Sequence, residues 1–232
     1  MRTPALVLRE TATGEADKRL TVLSETAGIL FPYAKGAMKA KSSRLTGTSL
    51  FAYSDFEFSD RRGSLYVASA LPIEMFFGLR ESVERVALAS YFGELAAFLC
   101  PKEEPAGEHL RLLLNILHFL AAGSRALLQL KAIAELRLLT LAGFMPDVDC
   151  LPSGWLDLRE GILINHPSGN NTVKVSEGAV LAIRHICTAE PERLFQFQMS
   201  DTGLRELANA AERFLLAQAE RRFYTLEFFK RL

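Results

Sequence analysis

Four cations, Lys35, Lys39, Lys41 and Arg44, stand in a stretch with no acidic residue between Glu25 and Asp55. Across all 232 residues, 27 basic side chains balance 27 acidic ones, so the local excess is not a by-product of a basic composition. A bare cationic stretch can neutralise the phosphates of an anionic polymer. A solvated loop is the bland alternative. Tyr33 adjoins the stretch, and Lys18-Arg19 and Arg61-Arg62 add positive charge elsewhere in the same half. Residues 1–80 hold 11 basic and 8 acidic residues, net +3, whereas residues 81–232 hold 16 and 19, net −3. The cationic surface is therefore segregated. Tyr33 is read either as a stacking platform for a base or as a core tyrosine.

No other chemistry is assembled in the sequence. There is no G-x-x-x-x-G-K-[ST] phosphate loop and no G-x-G-x-x-G after a strand. There is no G-x-S-x-G elbow and no H-E-x-x-H zinc pair. His109, His118, His166 and His185 do not share ligand spacing, and a lone helical histidine such as His118 reads as structural. Asp147 and Asp149 form a candidate carboxylate pair, with a solvated loop as the bland reading. Cys100, Cys150 and Cys187 are odd in number and lack a C-x-x-C pair, which argues against a disulfide framework and fits a reducing cytoplasm.

The elements that must position these groups change period near residue 78. Before it, apolar runs at Ala5–Leu8, Leu20–Leu23, Gly28–Ala34, Ser49–Phe58 and Ser64–Ala68 are separated by turns, as in a small five-stranded barrel. In the fourth run Phe51, Tyr53, Asp55 and Glu57 take one face, and Leu50, Ala52, Ser54, Phe56 and Phe58 mostly the other. Beyond Leu79 the period is helical. One helix stops before Pro101 and a second covers Glu108–Ala122. A third is capped by Ser124 and ends at Gly143, another opens at Ser176, and a last one runs from Asp201 to about Arg222. Between them lies an irregular insert at 146–175 with a short hairpin, Trp155–Leu158 against Gly161–Ile164. The expected class is α+β, with a barrel domain at 1–78 and a mainly helical domain at 79–232. The most apolar stretch, Leu110–Leu130, is interrupted by Arg111, Asn115, His118, Arg125 and Gln129, so it reads as two buried helices rather than a membrane span. Met1–Glu10 carries charges at Arg2, Arg9 and Glu10, unlike a signal peptide.

Several segments carry a resemblance. Leu6-Val-Leu-Arg9, Gly14-Glu-Ala-Asp17, Leu20-Thr-Val-Leu-Ser24, Gly28 and Ala34-Lys35-Gly36-Ala37 resemble the opening of the bacterial RecO recombination mediators. Ala134-Glu-Leu-Arg-Leu-Leu-Thr-Leu-Ala-Gly-Phe144 with Pro146 and Cys150, and the ending Tyr224–Leu232 with Leu226, Phe229 and Leu232, are similar to later parts of the same family. The resemblance implies an N-terminal OB-fold, a helical C-terminal domain and no enzymatic activity. It also implies binding to single- and double-stranded DNA, annealing of complementary strands, and partnership with RecR. Contact with the acidic tail of single-stranded-DNA-binding protein, loading of RecA at gaps and a cytoplasmic, nucleoid-associated location follow from it as well. Many members carry a four-cysteine zinc site. Here Cys150 stands at the first position, Ser153 replaces the second, and the later half falls near His166 with no cysteine. Two ligands at most remain where zinc needs four, so no cofactor is expected, and Trp155 and Ile162 are expected to pack the region instead.

On this reading Lys35 and Lys39 match the family's basic loop and lead the DNA contacts. Lys41, Arg44, Arg19, Arg61, Arg62 and Tyr33 follow. Arg125, Lys131 and Arg137, on or near the third helix, are candidate rim cations of an apolar groove for the partner's acidic tail; the bland reading is ordinary helix charges. The residues by themselves leave open an RNA-binding or ribosome-associated OB protein, a hydrolase or transferase built on Asp147 or Asp149, and a non-catalytic adaptor.

Overall fold

The computed structural model describes residues 1–232, which fall into two compact units, Met1–Gly123 with Tyr224–Leu232, and Ser124–Phe223.

The first unit begins with strands β1 (Arg2–Thr13), β2 (Asp17–Ser24), β3 (Gly28–Leu30), β4 (Tyr33–Ala34), β5 (Tyr53–Arg61) and β6 (Ser64–Glu74). Strand β1 pairs with both β2 and β5, β5 with β6, and β6 with β4, which pairs back to β2; the sheet is thereby closed. β3 and β4 are two pieces of one strand. The register Val22↔Leu30 on one side of Pro32 continues as Arg19↔Tyr33 and Lys18↔Ala34 on the other. Counted this way the barrel has the five strands expected from the sequence, in the order of an OB-fold, with β4 parallel to β6. Alternation fills its interior with Ala5, Val7, Leu20, Val22, Ala34, Phe56, Phe58, Val67 and Ala70. β1 is longer than the apolar run that marks it, because Glu10–Thr13 extend a ribbon with β2 up to the Gly14 turn. The run at Ser49–Phe58 becomes a strand only from Tyr53: residues 35–52 form successive turns, and Phe51 sits at φ 63°.

Helices α1 (Val83–Leu99), α2 (Gly107–Ala122) and α6 (Tyr224–Phe229) belong to this unit. α1 packs on β1, α2 and α6. Arg85 ties the unit together, its Nη1 donating to the carbonyls of Gly78 and Ala121, each at 3.0 Å. Secondary structure thus changes between Glu74 and Val83, beside residue 78, while compactness groups the first two helices with the barrel. The α1–α2 loop is hydrogen-bonded to the β2–β3 turn, Ile29 N donating to Pro101 O at 2.9 Å. Gly28 makes this approach possible: its φ is +59°, and a Cβ there would lie 2.1 Å from the Pro101 carbonyl oxygen. Gly28→Ala is expected to lower stability by about 3 kcal/mol, from left-handed strain plus displaced backbone. A urea midpoint equal to wild type would overturn this.

The second unit is built on α3 (Leu127–Leu141), buried on every side from Gln129 to Leu136 and packed on α5 (Asp201–Ala219) and α4 (Glu177–Thr188). Its N-cap is Ala126 rather than Ser124, and no side chain caps it. Ser176 and Ser200 do cap α4 and α5, accepting from Ala179 N and Gly203 N. α5 ends at Ala219 with Glu220 as its C-cap, in the left-handed region at φ 49°, so Arg222 lies beyond it and α6 starts afresh. The insert is a three-stranded sheet: β7 (Gly154–Asp157) pairs with β8 (Leu163–Ile164) as expected, and also with β9 (Thr172–Val175). The expectation for Ile162 is corrected. It is 42% exposed, and Leu156, Leu158, Leu163, Val173 and Val175 supply the buried surface beside a half-buried Trp155. No helix is long and apolar enough to cross a membrane.

Candidate nucleic-acid interface

Strand pairing puts one row of side chains across the outer face of the barrel. Thr11 lies opposite Arg19, Arg19 opposite Tyr33, and Tyr33 opposite Tyr66. The two tyrosine rings are 5.6 Å apart and tilted by 32°. Three cations ride over them: Arg19 over Tyr33 at 5.5 Å, and Lys35 and Arg61 over Tyr66 at 5.5 and 5.7 Å. These separations lie within cation–π range, so the rings hold the charges at the surface without a carboxylate neutralising them. Both tyrosines are half-buried while Arg19, Lys35 and Arg61 are exposed. The result is an aromatic platform with a cationic border, and a guanidinium plane is itself a surface on which a base can stack.

Lys35 also borders a second feature. Turns over residues 35–44 face the β1–β2 turn across an open cleft of 840 Å³, lined by Lys35, Lys39, Lys41 and Arg44 on one side and Glu15 and Asp17 on the other. Asp17 is engaged, accepting from Gly36 N at 2.7 Å, which fixes the start of the basic loop. Lys39 and Lys41 are exposed. Arg44 is anchored, donating from Nη1 to Val67 O at 3.1 Å while still lining the cleft. Arg62 stands apart at the tip of the β5–β6 hairpin, exposed and with φ 56°. Lys18 does not join the surface: it is buried and paired with Glu10 at 2.6 Å. Tyr66 was missed by sequence reasoning, although the alternation of its strand is the signal that would have placed it outward.

Two of the three candidate rim cations of the helical unit, Lys131 and Arg137, turn inward. Lys131 is 2% exposed, with its Nζ 2.7 Å from Glu135 and 2.9 Å from Glu212. Arg137 donates from Nη1 to the carbonyls of Ile186 and Cys187 at 3.3 and 2.5 Å, neutralising the C-terminal end of α4. Arg125 is half-buried just ahead of α3. α3 is the central helix of its unit, which is why its cations turn to internal partners. An apolar groove of 620 Å³ does exist in this unit, with Leu181, Ala182, Phe197 and Met199 in its walls, but His185 and Glu206 are the titratable residues that line it.

Several of the remaining candidates are engaged in local structure. Asp149 pairs with Arg184 at 2.5 Å, and Asp147 accepts from Asp149 N at 3.2 Å, so the carboxylate pair closes a loop. His185 Nε2 is 3.0 Å from Arg193 O, and His118 is exposed. Burial pushes the Cys100 thiol up to about 12, an inert core residue. Cys150 is exposed, its Sγ donating to Leu163 O at 3.2 Å, and no group of three or more His, Cys, Asp or Glu is gathered to hold a metal.

Residues 1–76 match the family model described as "Recombination protein O N terminal", and residues 80–227 match "Recombination protein O C terminal". A "DNA repair protein RecO" from Acetivibrio thermocellus is 31% identical over 243 residues, covering 100% of this chain and 97% of that protein. One from Alkaliphilus metalliredigens is 26% identical over 244 residues, covering 100% and 99%. One from Pelotomaculum thermopropionicum is 36% identical over 142 residues, covering 61% and 55%. Both the order of the two family segments and the end-to-end match agree with a closed OB barrel followed by helices, and the chain belongs to the RecO family of recombination and DNA repair proteins.

Proposed function

We propose that this protein binds single-stranded DNA on the outer face of its barrel and anneals complementary strands as a recombination mediator. The observation that carries the reading is the Tyr33–Tyr66 platform bordered by Arg19, Lys35 and Arg61 and continuous through Lys35 with the basic cleft. Phosphates take the cations and bases take the rings, a combination that binds single strands without reading sequence. Two complementary strands repel through their phosphates. A surface that neutralises some of that charge and leaves pairing edges exposed speeds their encounter.

Chain-wide charge is zero, so long-range steering is modest and affinity comes from the local patch. Action with RecR on DNA coated by single-stranded-DNA-binding protein, so that RecA loads at gaps in the cytoplasmic nucleoid, belongs to the same reading. It involves no covalent step of this chain. The apolar groove at Leu181, Phe197 and Met199 is a more suitable seat for a partner's aromatic-ended tail than the α3 cations. Annealing of two labelled complementary oligonucleotides across a salt series tests the proposal. Salt-sensitive acceleration is the expected result; no acceleration and no strand binding at low salt would leave an adaptor, and tighter binding to an RNA of the same sequence would favour an RNA function.

The insert is held without zinc in this reading. Gln218 Nε2 donates to Leu158 O at 2.9 Å and Arg213 Nη2 to Asn170 O at 3.1 Å, tying α5 to the β7–β9 sheet. Elemental analysis of the purified protein is expected to find zinc far below one per chain, and a chelator is expected to leave the melting curve unchanged. Stoichiometric zinc would refute this.

A further inference from the structure

The barrel carries a second cation–aromatic rung beside the first. A β-bulge in β1 creates it. Ala5 and Val7 point inward, so simple alternation would turn Arg9 into the barrel as well. The register instead shifts between Val7 and Arg9: Val7 lies opposite Val22, yet Arg9 lies opposite Thr21. Leu8 is the extra residue, and Arg9 emerges on the outer face with Thr21. The continuous register of β2 with β3 and β4 then sets Phe31 opposite Thr21, Leu20 N donating to Pro32 O at 2.9 Å between the paired positions. Arg9, Thr21 and Phe31 thus repeat Thr11, Arg19 and Tyr33 two residues farther along, about 7 Å away on the same face.

The second rung opens on a cleft of 500 Å³. Its lining includes Leu8, Leu50, Gly93 and Ala97 as apolar surface, with Phe31 and Tyr224 also bordering it. Phe31 is 44% exposed and Tyr224 83% exposed, both large for aromatic side chains in a folded unit. The carboxylates of the lining are engaged: Glu10 pairs with Lys18, and Glu94 accepts from Thr225 N at 3.1 Å and from its Oγ1 at 2.5 Å. Arg9 is exposed and joins no ion pair. Gly93 lets α1 close the floor, since a Cβ there would lie 2.8 Å from Leu8 O, on the bulge itself.

We infer that this cleft takes a nucleobase of a bound single strand, its ring between Phe31 and Tyr224 and its phosphate on Arg9, extending the path that starts at the Tyr33–Tyr66 platform. The inference rests on the strand-binding reading above. Continuity of the two rungs on one face favours a nucleic acid over an apolar peptide, and C-terminal Tyr224 becomes a DNA contact.

The test compares the full-length protein with Phe31→Ala/Tyr224→Ala, Arg9→Gln and Lys35→Gln/Lys39→Gln variants, using oligothymidylates of six and fifteen nucleotides across a salt series. Truncating the two aromatics is expected to weaken the fifteen-mer about tenfold or more and leave its salt slope unchanged. The six-mer, held at the first rung, is expected to change little. Arg9→Gln is expected to lower the slope by about 0.7. Retained circular dichroism and melting temperature would attribute these losses to binding. Unchanged fifteen-mer affinity in the aromatic variant, with weakening in the lysine variant, overturns the cleft inference alone. Unchanged affinity and slope in both variants overturns the strand reading itself. Loss of binding to an aromatic-ended acidic peptide, with oligothymidylate binding intact, assigns the cleft to a protein partner and overturns the inference too.

Discussion

Replacing Lys131 with methionine is expected to lower the stability of the protein by about 3–5 kcal/mol. The ammonium is shared by Glu135, whose side chain is fully buried, and Glu212, whose side chain is 16% exposed. Methionine fills the volume but leaves two carboxylates without their cation between α3 and α5, the costly way to break a buried ion pair. Burial by itself disfavours the ammonium, but attraction from Glu135 and then Glu212 outweighs it and holds the Lys131 pKa above the ordinary lysine value. A raised folded pKa sets the sign of the pH dependence. The stabilisation is fully present below the ordinary lysine pKa of about 10.4 and is lost as pH rises through the higher folded value. Wild type is therefore expected to lose stability at strongly alkaline pH, and the methionine variant to lose less there. Adding Glu135→Gln to Lys131→Met is expected to restore part of the loss. Urea or thermal unfolding of the variants measures each quantity. A methionine variant as stable as wild type would mean the triad is solvated.

Neutralising Lys35 and Lys39 together is expected to reduce the slope of log K against log salt by about 1.4 for single-stranded DNA, near 0.7 for each phosphate that is no longer neutralised. The effect on affinity is largest at low salt, and annealing acceleration falls with it. Lys35 is the sharper of the two, because it borders both the tyrosine platform and the basic cleft. Folding is expected to be unaffected: both lysines are exposed, neither side chain is in an ion pair, and glutamine keeps most of the aliphatic stem. Filter binding or fluorescence anisotropy from 50 to 200 mM salt gives the slope. An unchanged slope would remove the basic loop from the proposed DNA site. The Lys131 variant serves as the contrast, since a buried lysine contributes nothing to the slope however much it contributes to stability.

The barrel was legible because its signals are local. Period-2 alternation at Tyr53–Phe58 set Ser54, Phe56 and Phe58 on one face, and the structure buries all three. Turn residues at Asp60–Gly63 marked the β5–β6 hairpin, where Gly63 N donates to Asp60 Oδ1 at 3.1 Å. The basic loop was visible as a charge anomaly. Less legible was β9, whose four residues carry too few alternations to stand out. Arg9 was invisible as an outer-face residue for a different reason: a bulge changes the facing of every later side chain, and one extra residue leaves no mark in composition.

The α3 cations show the same boundary from the other side. Lys131 and Arg137 read as surface charges because helical propensity and charge are properties of single residues and their near neighbours. Whether a lysine ends in water or between two carboxylates depends on Glu212, which lies 81 positions away in sequence and meets it only when α5 packs on α3. By itself the sequence determined the change from strands to helices near residue 78, the alternation of the barrel strands, the segregation of positive charge in the first 80 residues and the family. Tertiary structure alone decided which cations face solvent, that Tyr66 completes a platform with Tyr33, and that the closing residues from Tyr224 return to the barrel's unit. The physical reason is that periodicity and charge act along the chain, whereas desolvation, ring contact and ion pairing act through space.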